Sequence, residues 1–183
     1  STWSALGNGM DGEVRALAVS GANLYAGGGF TTAGGTAASK IAKWDGAAWS
    51  ALGSGLARWD EVFAMALRDG DLYVGGTITE AGGVSAQGIA RWSQNAWSAL
   101  GDGISGAVFA LTLTGDNLYA GGNFTMAGGM MVSTIARWNG NAWSPLDAQL
   151  EGSVHALGTL GNDLYAGAGQ AFGTRGGEGS LLV

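Results

Sequence analysis

Short apolar runs, each closed by glycine or by a polar turn, follow one another along the chain. The first is Val14-Arg15-Ala16-Leu17-Ala18-Val19, and its counterparts begin at Val62, Val108 and Val154. Each carries apolar side chains at both parities. That suits a strand covered on both faces, and the runs are too short for helices. The pairs Gly21-Ala22, Asp69-Gly70, Gly115-Asp116 and Gly161-Asn162 come next. Such pairs accept the positive φ of a two-residue hairpin. A second strand follows, Leu24-Tyr25-Ala26-Gly27-Gly28, and then a loop carrying Ala33-Gly34-Gly35. Lys40-Ile41-Ala42-Lys43-Trp44 reads as a third strand, Asp45-Gly46 as a tight turn, and Trp49-Ser50-Ala51-Leu52 as a fourth strand. The pattern predicts a four-stranded antiparallel meander.

The meander is repeated. Residues 24–53 return as 72–101 and as 118–147, and the first and third copies agree at 19 of 30 positions without a gap. The units 14–53, 62–101 and 108–147 have 40 residues each; length varies only in the links, with six residues in 8–13, 102–107 and 148–153 and eight in 54–61. Four-stranded units at a period of 46–48 residues predict propeller blades, whose stacking buries both faces of every sheet. The fourth unit keeps Leu164-Tyr165-Ala166-Gly167 and loses the pattern between Gln170 and Gly179. Leu181 then falls where Ile41 falls, so residues 180–183 read as its third strand. Its fourth strand is missing, whereas residues 3–7 carry the Trp-Ser-Ala-Leu-Gly of a fourth strand with no unit before them. The expectation is therefore one all-β domain, a β-propeller with four blades' worth of strands. Its last blade, 154–183, is closed by the N-terminal strand in residues 1–7, which hides two sheet edges. The closure fits one chain or a ring shared by two, so a homodimer or a larger assembly is among the expectations.

Composition narrows the function classes. The 36 glycines recur at fixed places and read as turn residues; charged residues make up 12% of the chain, and the net charge is −6. No Lys/Arg cluster is present, which argues against a nucleic-acid partner. The chain has no cysteine and one histidine. Disulfides and thiolate metal sites are excluded, and no metal or other cofactor is expected. No apolar run is long enough for a membrane-spanning helix.

A strand ending in Gly-Gly and followed by a Trp-bearing pair of strands, here Leu24 to Gly28 with Trp44 and Trp49, resembles the Kelch-type repeat. More closely, the chain is similar to the WSALG/LYVGGxFTxAGG repeats of large secreted or surface bacterial proteins. The resemblance covers nearly the whole chain. It departs from ordinary Kelch repeats in the AGG loop and lapses at residues 170–179. It implies a propeller that binds rather than catalyses, at an extracellular or cell-surface location. The copper-dependent oxidases of that fold need metal ligands and a cysteine that this chain lacks.

Strand reversal puts the two tight turns of each blade on one face and the AGG loops and links on the other. The irregular loops on a rigid scaffold are the better place for binding. There the first-strand column Arg15, Phe63, Phe109 and His155 is the least uniform. Together with Glu13 and Glu61 it is placed at the mouth of the channel. Arg58 and Trp59 occupy the one long link, and Met130-Met131 the third AGG loop; neither pair is repeated. The paired tryptophans, Trp44/Trp49, Trp92/Trp97 and Trp138/Trp143, recur in every unit and read as packing between blades, with a sugar-stacking platform as the functional alternative. The expected function is a noncatalytic binding or structural module that contacts protein or glycan through its loop face. A scaffold segment of a larger repetitive protein is one alternative. A hydrolase or lyase working at the channel mouth is another.

Overall fold

A computed structural model describes residues 2–146, 150, 152–161, 163–169 and 180–182. Every regular element among them is a strand. The first unit comprises β1 (Val14–Ser20), β2 (Asn23–Gly28), β3 (Thr32–Ala33), β4 (Thr36–Ala37), β5 (Ile41–Trp44) and β6 (Trp49–Ala51). The second comprises β7 (Val62–Arg68), β8 (Asp71–Gly76), β9 (Glu80–Ala81), β10 (Val84–Ser85), β11 (Ile89–Ser93) and β12 (Ala96–Ala99). The third holds β13 (Ile104–Thr114), β14 (Asn117–Ala127), β15 (Met130–Met131), β16 (Ile135–Trp138) and β17 (Trp143–Pro145). The fourth holds β18 (Ser153–Leu160), β19 (Asp163–Gly169) and β20 (Ser180–Leu182).

The first three units are antiparallel meanders, β1-β2-β5-β6, β7-β8-β11-β12 and β13-β14-β16-β17. The expected two-residue turns form, since Ser20 pairs with Asn23, Arg68 with Asp71, and Thr114 with Asn117. In the fourth unit β20 pairs with β19, and Leu181 stands opposite Gly167 as Ile41 stands opposite Gly27. The lapse in the repeat at 170–179 and the start of the link 148–153 lie outside the described residues.

The core lies mostly between units, although Ala26, Phe30, Ala42 and Trp49 cluster within the first. Ala16, Ile41 and Leu52 of the first unit cluster with Val62, Leu72 and Val74 of the second. Tyr73, Ile89 and Leu100 of the second cluster with Val108, Leu118 and Phe124 of the third. The first glycine of each Gly-Gly pair makes this approach possible. A Cβ on Gly27 would lie 2.5 Å from Val62 Cγ1, and one on Gly75 would lie 2.6 Å from Val108 Cγ1. The second tryptophan of each pair is buried, and its indole N–H donates to a leucine carbonyl one unit back. Trp97 Nε1 bonds Leu52 O and Trp143 Nε1 bonds Leu100 O, each at 2.8 Å. The tryptophans are packing residues, with rings 5.2–5.5 Å apart in each pair.

Three expectations change. The AGG loops are hairpins in the first two units, β3-β4 and β9-β10, and β15 folds back on the end of β14 in the third. Gly34 and Gly35, at φ 59° and 84°, make the turn, and Met10 and Leu56 of the preceding links bridge to Ala33 and Ala81. The link 102–107 is largely strand, because β13 begins at Ile104.

The third change concerns closure. Residues 2–6 form no strand, and the expected ladder between residues 3–7 and β20 is not made; Trp3 is fully exposed. Leu6 O instead accepts the indole N–H of Trp49 at 2.9 Å. It thus holds toward the first unit the place that Leu52 holds toward the second. β1 is correspondingly open on one face, with Val14, Leu17 and Val19 exposed. The four units form an open array, and no closed ring is present among the described residues.

Candidate functional site

The column picked out in the sequence sits at a repeated backbone irregularity. In the β1–β2 ladder Val14 pairs with Gly28 and Ala16 with Gly27, so Arg15 is left without a partner. The same shift leaves out Phe63, Phe109 and His155 in the other units. Each is the extra residue of a β-bulge, a device that re-aims one side chain and is common beside functional sites.

The four bulges align their side chains into one continuous row across the units. The Arg15 guanidinium lies 5.4 Å from the Phe63 ring centroid. Phe63 and Phe109 are 5.5 Å apart and tilted by 55°. Phe109 and His155 stack at 5.0 Å and 5°. The two phenylalanines are half-buried, and Arg15 and His155 at the ends are exposed. Arg15 pairs with Glu13 at 2.5 Å and reaches Glu61 at 3.6 Å. The result is an apolar strip with a cation at one end, held between two carboxylates that remain open to solvent.

The structure does not bring the other candidates into this row. Arg58 and Trp59 sit at the corner of a turn closed by Asp60 N to Ala57 O at 3.1 Å. They pair with each other, the guanidinium 4.7 Å from the indole centroid, and Trp59 is exposed. Met130 and Met131 stand at the rim of the third unit, where Met131 pairs with Met126. Met126 also lines a polar cleft of about 500 Å³ with Ser85, Gln87, Asp102 and Ser105.

Sequence reasoning missed two residues that hold the loop face in place. Asp60 is buried, and its carboxylate accepts from Thr79 N at 3.0 Å, Thr79 Oγ1 at 2.8 Å and Glu80 N at 3.3 Å. Asp11 does the same for Thr31 and Thr32 in the first unit. The Thr31 hydroxyl, then the Thr32 and Thr31 amides, hold the Asp11 carboxyl well below the usual carboxylate range. The signal was available: Asp in each of the first two links, and Thr three positions after the Gly-Gly pair. Among the described residues no group of three or more His, Asp or Glu could hold a metal ion. Among the described residues no helix is long and apolar enough to cross a membrane.

No protein-family model matches the chain, and no curated protein matches it in sequence. Among solved structures it is similar to the computationally designed Ika4 protein, with a TM-score of 0.62 and 20% identity over 97% of this chain and 94% of that one. It is also similar to the computationally designed Ika8 protein, with a TM-score of 0.60 and 21% identity over 88% of this chain. The match takes in 44% of Ika8, so this chain spans just under half its length. At such identities the likeness carries the fold alone. The class defined here is an all-β protein of repeated antiparallel sheets that aligns one bulge residue from each unit.

Proposed function

We propose that the chain is a noncatalytic binding module on a Kelch-like propeller scaffold, and that it takes a protein partner along the row Arg15–Phe63–Phe109–His155. The propeller reading is supported by three complete meanders joined through the same Val-on-Gly contact. The extracellular or cell-surface setting comes from the repeat resemblance. One observation carries the binding reading: all four units bulge at the residue that supplies the row. A packing role alone would not need an irregularity at the same position each time, because ladder-paired residues bury apolar surface equally well.

The chemistry favours a protein over a glycan. One face of Phe63 is engaged by Arg15, and Phe109 is stacked on His155. A sugar ring needs a flat, free aromatic face, whereas ring edges suit an aliphatic or aromatic side chain. Glu13 and Glu61 at the Arg15 end, on a chain of net charge −6, suit a lysine or arginine next to that anchor. Selection from a random peptide library tests this. Peptides pairing an apolar residue with a basic one should be enriched, and Phe109→Ala should weaken them about 10-fold or more, as for a central aromatic anchor. Binding to a glycan array with no peptide selected would overturn the protein reading.

A further inference from the structure

We propose that the seam between the first and second units holds a separate binding site, on the turn face, for a saccharide that carries a carboxylate. The site goes beyond the binding reading, because the row Arg15–Phe63–Phe109–His155 lies at the loop-side ends of the strands.

Ladder register builds one wall of the site. Tyr25 stands opposite Lys43, and Lys43 opposite Ser50. Directly opposed residues share one face of a sheet, so the three side chains lie abreast. Trp92, Gln94 and Asn95 of the second unit line the other wall of a cleft of about 250 Å³, with Gly70 beside them.

The same place in the next seam is filled. Arg68 reaches across it to Gly115 O at 2.7 Å. Arg91 is tied to Asp71 at 3.5 Å. Tyr73 and Trp138 are buried there. In the first unit Ser20 stands at the position of Arg68 and Asn23 at that of Asp71. Ser20 is too short to cross the seam, and Asn23 offers no charge to Lys43, the counterpart of Arg91. Lys43 is in no salt bridge among the described residues. Tyr25 and Trp92 are only half-buried.

The turn beside the cleft departs from the repeat as well. In the first and third units Asp45 and Asn139 cap the outer turn, each Oδ1 accepting two backbone N–H groups at 2.9–3.0 Å. In the second unit Ser93 stands there and pairs with Ala96, so Gln94 and Asn95 make the turn themselves. Both have positive φ, 50° and 62°, a region that suits glycine and strains most other residues. Such strain gathers at ligand sites, and here it sets two primary amides at the cleft.

The lining selects the ligand. Amides and hydroxyls both donate and accept, as the neighbouring hydroxyls of a sugar do. The half-exposed Trp92 indole offers apolar surface to the C–H groups of a pyranose ring. The Lys43 ammonium suits a carboxylate. The cleft is sized for one ring rather than a chain. A terminal uronic acid combines all of these features.

An NMR titration of the 183-residue chain tests this. The probe is methyl β-glucuronide, and the control is methyl β-glucoside, which has a hydroxymethyl group in place of the carboxylate. The glucuronide should shift the Gln94 and Asn95 side-chain amides and the Trp92 indole N–H, with a Kd of about 1 mM. The glucoside should bind about 10-fold more weakly, the loss of one charge-assisted contact. Lys43→Met should bring the two probes level. Gln94→Gly combined with Asn95→Gly should raise the melting temperature, since glycine relieves the turn. The same variant should bind the glucuronide about 10-fold more weakly, which a merely structural turn would not do. Because the shifts are read at residues of the turn face, this site and the row stand or fail separately. No shift up to about 50 mM probe, shifts confined to other residues, equal binding of the two probes by the parent, or undiminished binding by the glycine variant would each overturn the proposal.

Discussion

Trp97 Nε1 donates a 2.8 Å hydrogen bond to the carbonyl of Leu52 across the seam between the first and second units. The two residues are 45 positions apart, and both are buried. The bond satisfies the indole N–H in the core and ties the outer strand of one sheet to that of the next. Trp97→Ala should cost about 3–5 kcal/mol, the usual loss for a buried aromatic. Trp97→Phe should cost about 1–3 kcal/mol, chiefly by leaving the Leu52 carbonyl unpaired. The exposed Trp59→Ala should stay within about 0.5 kcal/mol of the parent, as surface changes do. Urea denaturation of the three variants checks the order. Equal losses for Trp59→Ala and Trp97→Ala would show that Trp59 also belongs to the core.

The glycine seam should be sensitive to one methyl group. Gly75→Ala places a Cβ against Val108 and should destabilise by about 1–3 kcal/mol through overpacking. Val108→Ala leaves a cavity on its own but makes room for the new methyl. The double variant should therefore be more stable than the sum of the two losses, which a double-mutant cycle measures. Strict additivity would mean that the seam opens freely.

Thr134 is held at φ 57°, and its Oγ1 is buried without a partner among the described residues. The same position is Gly88 in the second unit, at φ 67°. A β-branched residue is poorly suited to the left-handed region. Thr134→Gly should therefore stabilise by about 1 kcal/mol, the relief of strain and of an unpaired hydroxyl outweighing the entropy that glycine loses. A lower melting temperature for this variant would contradict it. Lys40 holds the same backbone conformation at φ 66°, but its Nζ reaches Gly29 O at 3.2 Å. Lys40→Gly should gain less.

Asp11 makes the first link sensitive to acid. Its carboxyl titrates below the ordinary range because the Thr31 hydroxyl and the Thr32 and Thr31 amides bond the ionised form. A depressed folded value means that the stabilisation is fully present above the unfolded carboxylate value near pH 4 and fades as pH falls toward the folded one. Asp11→Asn should abolish that part of the acid dependence. It should also lower stability at neutral pH, because an amide oxygen is a weaker acceptor than a carboxylate. Acid titrations followed by tryptophan fluorescence, parent against variant, give the comparison. Identical acid profiles would show that the three hydrogen bonds do not persist in solution.

Local pattern alone carried the repeat, the strand order within each unit and the two-residue turns. A strand's period and a turn's need for positive φ are properties of a few adjacent residues. The column Arg15, Phe63, Phe109 and His155 was also visible in the sequence, as the least uniform place in the first strand. That each of these residues is a bulge was not visible, because a bulge is defined by the register between two strands. The Asp11 and Asp60 anchors left a pattern in the sequence, but Thr31 and Thr79 gain their meaning only from the hairpins they lead into, in segments that read as open loops. Whether the array closes was beyond the sequence for a similar reason. The angle between units is set by how Val62, Val108 and Val154 settle on the glycines facing them. Only the packed structure shows the outcome, with Val14, Leu17 and Val19 of β1 left exposed and no closed ring among the described residues.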